Sequence, residues 1–243
     1  MALRIAFDLD GTIADMEGAL QREAEQLFGP NVALRPAGSD HLEAPPDVEE
    51  AASEVRLKPD PTTEMPPVEK KRVLTGRQLR QVWQRVATVE NFWGTLKEIE
   101  SGSVAQIAVL RREHKLDVMF LTQRPDTEGE ITQLQTQRWL ETHGFELPSV
   151  FVLRGSRGLA AAALHMDVVV DDRPENCLEV ATESKARPIL VWRDPIELLP
   201  PGTNRLGIEA VQSVAEALQR IETMLAGSPK STFVARLRNV IGI

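Results

Sequence analysis

The chain has 243 residues, 42 % of them apolar, and carries 36 acidic against 28 basic side chains for a net charge of −8. That length allows one large or two small domains, and the apolar share is enough for a core and excludes wholesale disorder. The acidic excess argues against duplex DNA or an anionic membrane as partner, both of which need positive surface, but not against a small phosphorylated ligand held by one or two cations.

A lone cysteine, Cys177, leaves no internal disulfide and suits a reducing compartment. No stretch approaches 18 apolar residues, and the apolar run before Asp8 is too brief for a signal peptide. The expectation is a soluble, cytoplasmic protein.

In chain order, Leu3 to Leu9 reads as a short buried strand, and Met16 to Phe28 as a helix closed by Gly29-Pro30. Residues 36–67 hold seven of the 16 prolines, eight acids and two bases, which predicts a long solvated loop. Thr75-x-x-Gln78 resembles a capping box, opening a helix with Leu79, Val82, Trp83 and Val86 on one face. After Phe92-Trp93-Gly94 the pattern alternates. Helices are expected at Val104–Leu110, Glu128–Thr142, Gly158–His165, Pro174–Thr182 and Val211–Leu225. Strands are expected at Val118–Leu121, Val150–Leu153, Val168–Val170 and Ile189–Trp192. Alternation of this kind predicts an α/β fold: a Rossmann-like parallel sheet with helices on both faces. The first strand belongs to that sheet. The domain expectation is therefore a core of residues 1–14 and 95–226, a cap inserted at 15–94, and an amphipathic C-terminal helix at 227–243 that docks on the body or on a second subunit.

Three strand ends carry unusual polar residues: Asp8-Leu-Asp10-Gly11-Thr12, Thr122-Gln-Arg124-Pro125, and Asp171-Asp172-Arg173-Pro174. Ligands of open parallel sheets bind outside the carboxyl ends of strands, so the three should meet at one edge. Two carboxylates about 4 Å apart repel by about 4 kcal/mol at an effective dielectric near 20. Such a cluster must either hold protons or surround a cation, and an all-oxygen ligand set suits Mg²⁺. Just past a strand end, Asp8 and Asp10 project to the same side, so one can attack phosphorus while the other handles protons. Gly11 permits a tight turn, and the Thr122 hydroxyl can donate to a phosphoryl oxygen. Arg157, ahead of an alanine-rich helix, is the candidate cation for the transferred group, with Arg154 the alternative. Arg124 and Arg173 either reach substrate or pair with the acids. Phe92 and Trp93 read as core, with a nucleobase platform as the sharper alternative.

"DLDGT", "LTQRP" and "VVVDDRPEN" resemble motifs one, two and four of the haloacid dehalogenase (HAD) superfamily in its phosphatase form, with Arg157 standing where motif three more often has lysine. The resemblance covers residues 3–15 and about 95–192. It implies the HAD fold, a mainly helical cap after strand one, Asp8 as nucleophile and Asp10 as general acid/base. It also implies Mg²⁺ on Asp8, the Asp10 carbonyl and Asp172, with Asp171 in support, and phosphate binding by Thr122 and Arg157; Gly11 and Arg124 are expected beside the site from their own positions in the chain. The order of motifs is similar to the 5′(3′)-deoxyribonucleotidase group, although Gln123-Arg124 follows Thr122 where that group commonly has a threonine-serine pair. The expected function is a Mg²⁺-dependent phosphomonoester hydrolase acting through an aspartyl-phosphate, on a 5′-nucleotide or another small phosphoester. A sugar phosphatase, a phosphotransferase and a catalytically silent binding module are the alternatives.

Overall fold

The computed structural model describes residues 2–34 and 71–226. The acidic, proline-rich segment 36–67 and the C-terminal helix expected at 227–243 lie outside the described residues.

Strand β1 (Arg4–Asp8) is an interior strand of the main sheet. It is short and apolar because both of its faces are covered: Ile5 and Phe7 enter one buried cluster and Ala6 another. Around it stand β4 (Asp117–Thr122), β5 (Ser149–Val152), β6 (Val168–Asp171), β7 (Arg187–Val191) and β8 (Glu209–Val211). Among the described residues these six form one sheet in the order β5-β4-β1-β6-β7-β8, with every pairing parallel. Two-residue strands β2 (Val32–Ala33) and β3 (Arg72–Val73) make a separate parallel pair.

Helix α1 (Met16–Phe28) starts where the Asp15 carboxylate accepts from the Gly18 N–H. Helix α2 (Gly76–Ala87) starts at the predicted capping box, formed reciprocally by Thr75 and Gln78. The two helices pack together, and Leu20, Ala24, Val82, Trp83 and Val86 are buried. Helices α3 (Ser103–His114), α4 (Thr132–Thr142) and α7 (Val214–Ala226) send Ile107, Trp139 and Ile221 into the cluster of Ile5 and Phe7. Helices α5 (Arg157–Ala163) and α6 (Pro174–Glu183) send Ala161 and Val180 into the cluster of Ala6. Phe92–Thr95 forms a 3₁₀ turn that buries Phe92 and Trp93.

Two expected elements differ. The helix predicted from Glu128 begins at Thr132. Residues before it are drawn off toward Asn91, whose side chain accepts from the Glu130 N–H at 2.9 Å while its backbone N–H donates to the Glu128 carbonyl. Gly129 there has φ +96°, outside helical space. The helix predicted from Val211 is preceded by β8, which extends the sheet against β7, and starts only at Val214. Ser213 accepts from the Glu216 N–H, and Glu216 accepts from the Gln212 N–H. The pattern Ser213-x-x-Glu216 is a helix-start signal that the apolar periodicity hid.

No helix among the described residues is long and apolar enough to cross a membrane.

Candidate active site

Neighbouring strands β4, β1 and β6 end together, and the register puts their terminal side chains side by side. Asp8 is opposite Leu121 of β4, one residue short of Thr122, and Phe7 is opposite Val170 of β6, one short of Asp171. After β1 the chain turns sharply: the N–H groups of Ile13 and Ala14 both donate to the Leu9 carbonyl, and Gly11 donates to Ala14. Gly11 has φ +88°, and a Cβ on it would stand 2.2 Å from Asp172 Oδ2. Glycine is required there both for the backbone angle and for the close approach of the carboxylate.

Asp8, Asp171 and Asp172 are all buried, and each offers an oxygen within 4.8 Å of the others. Asp172 Oδ1 accepts from Thr12 Oγ1 at 2.9 Å. Asp171 accepts from the Arg173 N–H and, through both oxygens, from Asn176 Nδ2 at 3.0 Å. Arg157 enters from the start of α5. Its Nη2 donates to Asp8 Oδ1, and its Nε stands 3.4 Å from Asp171 Oδ2. The guanidinium is buried, and its Nη1 has no hydrogen-bond partner. The Arg157 N–H donates to Glu179 on α6, and a Cβ on Gly158 would strike the Glu179 carbonyl at 2.2 Å. The close packing of α5 on α6 thus sets where this cation enters. The side chain of Arg154 is 86 % exposed, 3.7 Å from Asp126, and outside the cluster.

Burial pushes the Asp8 carboxyl well above the usual carboxylate range, against the pull of Arg157. Asp171 is raised for the same reason and with the same opposition. Asp172 is pushed up to about 7 by burial, reinforced by repulsion from Asp171. Burial works against the charge on Arg157, but the carboxylates around it outweigh that and raise its pKa.

Asp10 is placed differently. Thr122 Oγ1 donates to its Oδ2 at 2.9 Å, and Arg124 donates through Nε to both oxygens and through Nη2 to Oδ1, all within 2.8–2.9 Å. Thr122, expected to face a phosphoryl group, is therefore engaged with Asp10. Asp8, Asp171 and Asp172 crowd more carboxyls into the buried cluster than Arg157 alone can balance, so ionising all of them calls for a further cation. Oxygen-only donors in a dry setting suit a hard divalent ion. Asp171, expected in a supporting place, stands in the trio itself.

The sequence pattern did not single out three further contacts. Thr12 and Asn176 hold the carboxylates, and both sit inside the quoted motifs. Arg193 follows β7, a fourth strand end with a charged residue, and donates to the carbonyls of Gly11 and Thr12 while pairing with Glu100 at 2.6 Å. Phe92 and Trp93 are buried, as the core reading expects.

No family model and no curated protein matches this chain. Solved structures do. A HAD family hydrolase from Deinococcus radiodurans R1, solved with bound phosphate and sodium, is 15 % identical over 92 % of this chain and 94 % of that one, with a TM-score of 0.51. A hydrolase from Pseudomonas syringae is 15 % identical over 91 % and 98 % with a TM-score of 0.47, and a haloacid dehalogenase-like hydrolase from Streptococcus pneumoniae is 13 % identical over 90 % and 98 % with a TM-score of 0.46. At such identity the likeness is one of fold: the six-stranded parallel sheet with its helices is the α/β fold of the Deinococcus HAD hydrolase.

Proposed function

We propose that this protein is a Mg²⁺-dependent phosphomonoester hydrolase that works through an aspartyl-phosphate on Asp8. The observation that carries the reading is the burial of Asp8 at a strand end between Arg157 and the Asp171–Asp172 pair. A nucleophilic carboxylate there meets a fixed positive charge on one side and two further carboxylates on the other.

Asp8, Asp171 and Asp172 would hold the ion, which supplies charge neutralisation for the phosphoryl oxygens when bound. Arg157, with an unpartnered Nη1 in the buried cluster, binds the phosphoryl group from the side of α5. An oxygen of Asp8 attacks phosphorus in line with the ester oxygen. The P–O ester bond breaks, its electron pair goes to the leaving oxygen, and the Asp10 carboxyl gives that oxygen a proton. Water then attacks the acyl-phosphate and gives its proton back to Asp10. The bond between phosphorus and Asp8 breaks, and the Asp8 carboxylate and inorganic phosphate result. General acid/base help of this kind typically contributes about 10²–10⁴-fold. Electrostatic stabilisation of the phosphoryl group contributes the larger part.

The test is hydrolysis of p-nitrophenyl phosphate with Mg²⁺ by the full chain and by Asp8→Asn. Wild-type turnover with a loss of about 10⁴-fold or more in the variant supports the reading, because removing a nucleophile has effects of that order. No turnover by either protein across several metals points instead to a binding module. The substrate screen begins with 5′-nucleotides, by the resemblance of the motif order, and continues with sugar phosphates. Added alcohol acceptors separate a phosphotransferase from a hydrolase.

A further inference from the structure

The Asp10 carboxylate takes four hydrogen bonds, three of them from one guanidinium. Arg124 is itself fixed on its remaining sides. Its Nη1 donates to Thr136 Oγ1 at 3.0 Å, and its guanidinium carbon lies 4.9 Å from the centroid of the Trp93 ring. The side chain is wholly buried. Thr136 is in turn tied to its own helix by donation to the Thr132 carbonyl at 2.8 Å, and Trp93 by donation from Nε1 to the Pro125 carbonyl at 2.9 Å. The Trp93 N–H donates to Gln135 on the same helix at 3.1 Å. A rigid frame made of α4 and the 92–95 turn thus ends in a fork that grips one carboxylate. Arginine suits this place and lysine does not, since only a planar fork can hold both oxygens while stacking on a ring.

We propose that Arg124 is a positioning residue: it sets the orientation of the Asp10 carboxylate toward the leaving oxygen, from a frame built by Trp93 and Thr136. Resting on the hydrolase reading above, this adds a dependence that the motif roles do not contain. Proton delivery by Asp10 is governed by a side chain 114 positions away that has no place in the metal trio. Misplacement of a reacting group by about 1 Å is enough to lower a rate by about 10²-fold.

The test compares leaving groups. The ratio kcat/KM reports the steps up to departure of the alcohol. p-Nitrophenolate leaves without a proton, whereas an alkyl alcohol needs one. In Arg124→Lys, which keeps the charge and loses the fork, kcat/KM for an alkyl phosphate should fall about 10²-fold further than for p-nitrophenyl phosphate. Thr136→Val, a near-isosteric change that removes the acceptor for Nη1 together with the hydroxyl's bond to the Thr132 carbonyl inside α4, should show the same bias at several-fold, and it decides the matter if the lysine variant does not fold. Equal losses on both esters, or none, overturn the proposal. Crystals of both variants give a readout independent of turnover. Asp10 should leave its bond to Thr122 Oγ1 while Asp8, Asp171 and Asp172 stay in place, and an unmoved Asp10 also overturns it. If the wild type hydrolyses no phosphoester, the hydrolase reading falls while the crystals still decide whether Arg124 positions Asp10.

Discussion

The same three strands carry charges at both ends, and the two ends are built on opposite terms. At the amino end Arg4 of β1 pairs with Asp117 of β4 at 2.9 Å, its N–H donates to Asp167 just ahead of β6, and its side chain also reaches the Leu164 carbonyl. Arg4 and Asp117 are 29 % and 44 % exposed, so water screens them. At the carboxyl end the acids are dry and outnumber their cations. A wet cluster, its charges screened by water, ties strands together cheaply and asks for nothing more. A dry, unbalanced one is stable only with protons or a cation, and that difference marks the carboxyl end as the place for a ligand.

Breaking the dry end should have the largest effect. Asp172→Asn removes one member of the trio but keeps an acceptor for Thr12, so the turn after β1 should hold. We expect phosphatase activity to fall by about 10²-fold or more, in keeping with the several kcal/mol a metal's charge contributes. Steady-state kinetics across a Mg²⁺ titration checks this.

The pH response sharpens the same point. Asp172 sits at about 7 in the folded protein, raised from the ordinary value of 3.8. A raised carboxyl contributes stability that is present in full below about pH 4 and is lost as pH rises through about 7. Metal-free protein should therefore become less stable between about pH 4 and 7, and Mg²⁺, which requires the deprotonated form, should raise Tm more at pH 8 than at pH 5. In Asp172→Asn the pH-dependent part of that difference should shrink. Thermal unfolding with and without Mg²⁺ at the two pH values measures both.

Gly11→Ala tests the turn itself. The left-handed backbone and the contact with Asp172 should together lower stability by on the order of 1–3 kcal/mol, read by denaturant unfolding, and should reduce activity by displacing the carboxylate. At the wet end, Arg4→Ala should lower stability by about 1 kcal/mol or less and leave Mg²⁺-dependent turnover at its wild-type level. A large activity loss there would erase the contrast between the two ends.

Much of this architecture was legible in the residues. The strand from Leu3 and the helix at Met16–Phe28 follow from local patterns of apolar spacing and stop signals, and the capping box at Thr75 follows from its own spacing. Legibility failed where a distant contact overrode the local pattern. Asn91 draws residues 128–130 away from the helix they resemble, and β7 recruits Glu209–Val211 as a strand where periodicity runs on as helix.

The site divides in the same way. Carboxylates following apolar runs at two places, and Thr122 with Arg124 at a third, are a property of the sequence, because burial of a strand and the polarity of its end are both written in neighbouring residues. Which arginine joins them was decided in three dimensions. Arg157 reaches Asp8 across 149 positions because α5 packs on α6, while Arg154, three residues earlier, is in solvent. Thr122 and Arg124 turn to Asp10, and Thr12 to Asp172 across 160 positions, because β4, β1 and β6 are neighbours in the sheet. Spacing along a chain fixes the face on which a side chain emerges. The strand order fixes what it meets, and that order is a property of the packed core as a whole.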